Sequence, residues 1–172
     1  MSHKALFLDR DGIINEDTAY PHKPEQIVFT EGIFDLCRSA IRKGYLIIVV
    51  TNQAGVAKGY FTEDDVLALH KWIKEQLLVQ GIEITAFYFS PYHPDATVEQ
   101  YRKNTECRKP GGGMIRKAVE DFDIDLSKSL MVGDKLSDKI KIPELRSVVI
   151  KSKYVKSGYD IESLAEVEIL LN

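Results

Sequence analysis

No run of apolar residues in the chain approaches the ~20 that a membrane-spanning helix needs. No signal peptide is expected at either end, so the expectation is a cytoplasmic protein that meets no membrane. Cysteine is scarce: Cys37 falls in a helical pattern and Cys107 among charged residues, which excludes a disulfide framework and favours a reduced compartment. Positive charge is not in excess either. The 23 basic residues face 26 acidic ones for a net charge of −3, and no basic patch argues for nucleic acid. Repeats and low-complexity stretches are missing. What remains is an ordinary globular composition, 44% hydrophobic and 28% charged, in 172 residues: one domain with room for a full core.

The chain is organised around residues 4–15, where the apolar run Ala5 to Leu8 ends abruptly in Asp9, Arg10, Asp11 and Gly12. Such a run reads as a buried strand, and in extended backbone residues two apart share a side, so Asp9 and Asp11 face one small volume at a strand's carboxyl end. Ligands of open α/β sheets bind there. Two close carboxylates need a cation between them or a shared proton, and a hard divalent ion suits them. Taken alone, this stretch reads equally well as a polar turn.

Residues 16–31 are polar, hold Pro21 and Pro24, and form a loop in which Tyr20 to Lys23 is placed to lean over the site. Gly32 to Lys43 has helical spacing, stopping at Gly44; Leu46 to Val50 is a strand covered on both faces and runs into Thr51, Asn52 and Gln53. A glycine-bearing loop with Lys58 follows. Thr62 caps a helix whose stripe is Val66, Leu69, Ile73, Leu77 and Leu78, with Trp72 at its edge. Ile84 to Phe89 is a third strand, and residues 90–107 form the longest loop. Arg108 and Lys109 then precede three glycines and a helix from Met114 to Phe122, a combination of cations, amides and helix N-terminus suited to an anion. Ser129 to Val132 ends in Gly133 and Asp134, with Lys135 and Asp138 beyond; a fifth strand is expected at Ser147 to Ile150. In the tail, Ile161, Leu164, Ala165 and Ile169 have helical spacing, while Val167 to Leu171 also suits an extended segment. Strands alternating with helices predict an α/β fold with a parallel sheet.

The order of these motifs resembles the haloacid dehalogenase superfamily of aspartate-nucleophile phosphatases, over roughly residues 5–138. Asp9-Arg10-Asp11-Gly12, Thr51, Lys109, and Gly133-Asp134 with Asp138 stand for its four motifs. Within it, the wording around Asp9, Thr51 and Cys107-Arg108-Lys109-Pro110 is similar to the heptose bisphosphate and histidinol phosphate phosphatase branch. The resemblance implies a three-layer α/β/α Rossmann-like fold with a mainly parallel central sheet. It also implies Asp9 as nucleophile, Asp11 as general acid and base, Thr51 and Lys109 on the phosphoryl oxygens, and magnesium on Asp9, the Asp11 carbonyl and Asp134, with Asp138 behind. Substrate contacts would come from Asp17, Tyr20, Asn52, Gln53, Arg108 and Lys135, with Lys58 for a second anionic group. Asp9 and Thr51 lie 42 positions apart, filled by a helix and a strand, so a single domain with no cap over residues 1–172 is expected. The expected substrate is a small phosphorylated metabolite, a sugar bisphosphate such as the heptose 1,7-bisphosphate; the other readings are histidinol phosphate hydrolysis and a non-catalytic phosphate-binding module. A monomer is expected.

The branch usually carries a structural zinc in the loop before the lysine motif. Here Ser90, Tyr92 and Thr105 stand where ligands would be and only Cys107 remains, so no zinc is expected. His93 reads as a satisfied loop histidine.

Overall fold

The computed structural model describes residues 1–172. Its frame is a five-stranded sheet, β1 (Lys4–Leu8), β2 (Tyr45–Asn52), β3 (Ala86–Ser90), β4 (Leu130–Gly133) and β5 (Arg146–Val149), in the order β3-β2-β1-β4-β5 with every pair parallel. Parallel neighbours require crossovers, and four helices accompany them: α1 (Ile33–Arg42), α2 (Glu63–Val79), α3 (Gly113–Phe122) and α4 (Leu164–Leu170).

The period-two geometry of β1 divides the core. Leu6 and Leu8 join the buried side chains of α1, α2 and α4 on one face, whereas Ala5 and Phe7 join those of α3 on the other. Both faces are covered, which is why β1 and β2 read as continuous apolar runs. Thr62 caps α2, its hydroxyl accepting from the Asp65 amide at 3.2 Å while the Asp65 carboxylate accepts from the Thr62 amide at 2.9 Å. No helix is long and apolar enough to cross a membrane.

Several boundaries differ from the sequence reading. β2 continues through Thr51 and Asn52, which pair with Phe89 and Ser90 of β3, so the strand carries its polar end residues in register. β3 starts at Ala86; Ile84 is buried ahead of it. On α2 the stripe is Val66, Leu69, His70, Ile73 and Leu77, and Leu78, one step round the helix, is 60% exposed. The tail is helical, but Leu164, Val167 and Leu171 face the core while Ile169 is 82% exposed.

Candidate active site

β1 and β4 are adjacent, and the chain leaves them toward opposite edges of the sheet, so their carboxyl ends open a crevice at the switch point. Asp9 follows β1 directly, and Asp134 follows β4. Gly12 makes their approach possible. Its φ is +94°, and a β-carbon there would lie 2.0 Å from Asp134 Oδ2, so conformation and space both require a bare backbone. At Gly133 a β-carbon would meet the Asp138 carboxyl at 2.0 Å.

Asp9, Asp134 and Asp138, all buried, bring carboxylate oxygens within 4.8 Å of one another. Lys109 enters from the third loop, 4% exposed, and its ammonium donates to Asp138 Oδ1 at 2.5 Å, Asp9 Oδ1 at 3.0 Å and the Val50 carbonyl at 3.0 Å. All three of its hydrogens are used. Its main chain is held by Asn52, whose side chain accepts from the Lys109 amide at 3.0 Å and donates to the Lys109 carbonyl at 3.2 Å. Asp138 also accepts from the Asp134 and Lys135 amides at 3.0 and 3.1 Å, bracing the turn after β4.

Burial raises the Asp9 pKa; Lys109 pulls it back, and Asp138 and Asp11 push it up. Asp134 is raised by burial and then by Asp9 and Asp138. Burial alone would lower Lys109, yet the Asp138 and Asp9 carboxylates outweigh it and hold the ammonium charged. Asp134 Oδ1 is a buried oxygen with no hydrogen-bond partner. An unpartnered carboxylate oxygen among further carboxylates, with only oxygen donors at hand, fits a hard divalent cation.

The family described as polynucleotide kinase 3 phosphatase matches residues 8–157. The chain is 49% identical over 138 residues to D-glycero-alpha-D-manno-heptose-1,7-bisphosphate 7-phosphatase of Burkholderia mallei, covering 80% of this chain and 73% of the relative. It is 42% identical to the corresponding beta-heptose phosphatase of Yersinia pestis, over 78% of this chain and 71% of the relative. Among solved structures, D,D-heptose 1,7-bisphosphate phosphatase from B. bronchiseptica, complexed with magnesium and phosphate, superimposes with a TM-score of 0.79 at 25% identity over 97% of each chain. The chain belongs to the haloacid dehalogenase phosphatases.

In this phosphatase twelve predicted site residues line one cavity of about 260 Å³: Asp9, Asp11, Asp17, Tyr20, Thr51, Asn52, Gln53, Lys58, Arg108, Lys109, Lys135 and Asp138. Asp134 lies behind Gly12. Asp11 differs from Asp9 in its partners. Its carboxylate accepts from Arg10 Nε at 2.9 Å and Nη2 at 3.2 Å, from Asn15 at 3.0 Å and from Gln53 at 3.2 Å. These four donors from three side chains fix the carboxylate in place at the cavity wall. Gln53 donates to Thr51 Oγ1 as well, at 2.9 Å.

The anion site expected at residues 108–113 is only half there. Arg108 and Lys109 reach the cavity, but the amides of Gly111 and Gly113 donate to the carbonyls of Arg108 and Glu106, and the three glycines line no part of it. Their role is packing: a β-carbon on Gly111 would lie 2.5 Å from the Glu106 carbonyl oxygen. In the loop before them, Cys107 Sγ lies 3.3 Å from Thr105 Oγ1 and 3.7 Å from Ser90 Oγ. His93 lines the cavity, and its Nδ1 accepts from the Asp95 amide at 3.0 Å.

Sequence reasoning missed Arg10, Ser137 and Tyr154. Arg10 is fully buried, donates to the Pro21 carbonyl at 2.8 Å besides Asp11, and sets Nη1 3.2 Å from Nε2 of buried His70. Tyr154 and Ser137 line the cavity. An arginine between two catalytic-type acids was the available signal for Arg10; Tyr154 lies beyond the stretch that carries the resemblance.

Proposed function

We propose that this phosphatase is magnesium-dependent, works through an aspartyl phosphate, and removes the 7-phosphate of D-glycero-D-manno-heptose 1,7-bisphosphate as a capless domain. The supporting observation is the meeting of Asp9, Asp134, Asp138 and Lys109 at the switch point of the sheet, with Asp11 facing the same cavity. The names of the relatives supply the substrate.

Asp9 attacks phosphorus in line, its carboxylate oxygen bonding to phosphorus as the ester oxygen leaves. Asp11 gives that oxygen a proton; it then takes one from the water that hydrolyses the phosphoaspartate, which restores Asp9 and frees inorganic phosphate. Arg10, Asn15 and Gln53 hold the Asp11 carboxylate at the cavity wall, where it can face the leaving oxygen and then the water. Lys109 has no idle hydrogen, so it serves the phosphoryl oxygens by exchanging its bond to the Asp9 carboxylate. Thr51 sits opposite, fixed by Gln53. Magnesium, held by Asp9, Asp134 and the Asp11 carbonyl, would neutralise phosphoryl charge, and Asp138 keeps Lys109 and the turn after β4 in place. Lys58 and Arg108, which line the same cavity, would meet the second phosphate.

The test is turnover of heptose 1,7-bisphosphate, histidinol phosphate and p-nitrophenyl phosphate with magnesium and with a chelator. Release of one phosphate from the heptose substrate, stopped by chelation and by Asp9→Asn, is the expected result. Preference for histidinol phosphate overturns the substrate; turnover surviving Asp9→Asn overturns the mechanism.

A further inference from the structure

One wall of the cavity comes from the segment after β5. Ser152 anchors it: its hydroxyl donates to the Asp134 carbonyl at 2.6 Å and accepts from the Tyr154 and Val155 amides at 3.1 and 3.2 Å. The turn so formed is tied to the residue that flanks the catalytic floor. Tyr154 then reaches across the mouth, where its hydroxyl donates to the Asp17 carboxylate of the loop after β1. Lys153 donates to the Asp17 carbonyl at 3.1 Å, and the Lys135 ammonium stands 4.5 Å above the Tyr154 ring. Asp17 also accepts from the Ala19 amide at 3.2 Å. Burial works against the Asp17 charge, but the bonds from Tyr154 and Ala19 keep the carboxylate ionised. An ionised carboxylate offers about four acceptor positions, so capacity is left for the hydroxyls of a ligand.

Resting on the phosphatase reading, we propose that Tyr154 is a specificity-determining residue. It fixes the Asp17 carboxylate as a hydroxyl acceptor and the Lys135 ammonium as an anion partner, so phosphoesters with a hydroxyl-rich, charged leaving group are preferred to bare ones. Tyr154 is 48% exposed and packs into no core cluster, so substitution there leaves the fold intact.

The experiment compares kcat and KM for heptose 1,7-bisphosphate and p-nitrophenyl phosphate, with magnesium, in the parent chain and in Tyr154→Phe, Asp17→Asn and the pair together. Tyr154→Phe should raise KM for the bisphosphate about tenfold, the size expected for a hydrogen bond to a charged group, with kcat changing far less. The loss on p-nitrophenyl phosphate should be several-fold smaller. The double variant should lose no more than the worse single variant, because both remove one bond. Tyr159→Phe, whose hydroxyl donates to Glu162 away from the cavity, is the control and should match the parent. Equal losses on both substrates, a loss confined to kcat, or additive losses overturn the role of Tyr154. A parent chain inert on both substrates overturns the phosphatase reading itself.

Discussion

The floor of the cavity and its rim are built on opposite plans. On the floor, Asp9, Lys109, Asp134 and Asp138 are at most 6% exposed, sit at or between strand ends, and share partners with one another. On the rim, Tyr20, Lys58, Lys135 and Tyr154 meet through side-chain contacts near solvent: Lys58 donates to the Tyr20 hydroxyl at 2.5 Å, and Lys135 stands over the Tyr154 ring. Ala19 and Tyr20 hold φ values of 65° and 59° there, a backbone region uncommon outside glycine and worked into the loop that lines the cavity. A buried charge tolerates no missing partner, whereas an exposed pair exchanges with water at little cost. On the proposed mechanism, bond-breaking would belong to the rigid part and choice of ligand to the adjustable part.

The contrast is sharpest at Asp9, the proposed nucleophile. Asp9→Asn should reduce turnover by at least about 10³-fold, the scale seen when a nucleophile is removed, without lowering the urea midpoint, since it relieves crowded negative charge. Next comes Lys109→Met, which strips the ammonium from the buried Asp9 and Asp138 carboxylates and should lower stability by about 3–5 kcal/mol in urea unfolding. An equally stable Lys109→Met chain would break the comparison. Arg10 joins floor to rim, and its neighbour His70 gives a smaller, pH-dependent effect. Burial, and then the Arg10 charge, hold His70 well below its usual 6.5. The unfolded chain therefore takes up a proton at His70 as pH falls through 6.5 while the folded chain does not. Stability is full above that value and declines below it, by up to about 1.4 kcal/mol per pH unit, and His70→Gln should flatten the decline between pH 6.5 and 5.5. The smallest change belongs to the rim: Lys58→Ala should raise KM for a bisphosphate a few-fold, the scale of an exposed ion pair, and leave the urea midpoint nearly where it was.

The floor was legible because it follows from local rules. Apolar strands that break into Asp9, Thr51 and Asp134 mark the sheet's functional edge without any knowledge of tertiary contacts. Of the rim, the resemblance named Asp17, Tyr20, Lys58 and Lys135 but not the partners that hold them. That Asn52 spends its amide on the Lys109 main chain, or that Gly111 and Gly113 pack against Glu106 rather than cradle an anion, depends on tertiary placement. Arg10 carried no role of its own in the sequence, and only the fold turns it inward to Asp11 and His70. Leu78 and Ile169 were assigned inward by spacing, but each lies one helical step off its buried stripe.

Gly133 concentrates these dependencies in a single atom's absence. A methyl group there would displace the Asp138 carboxyl, and with it the seat of the Lys109 ammonium and the two amides that shape the turn bearing Asp134. Three groups that meet phosphate chemistry in different ways would thus be dislodged by one small addition, so the alanine variant should behave as a near-complete knockout although position 133 itself never touches a ligand.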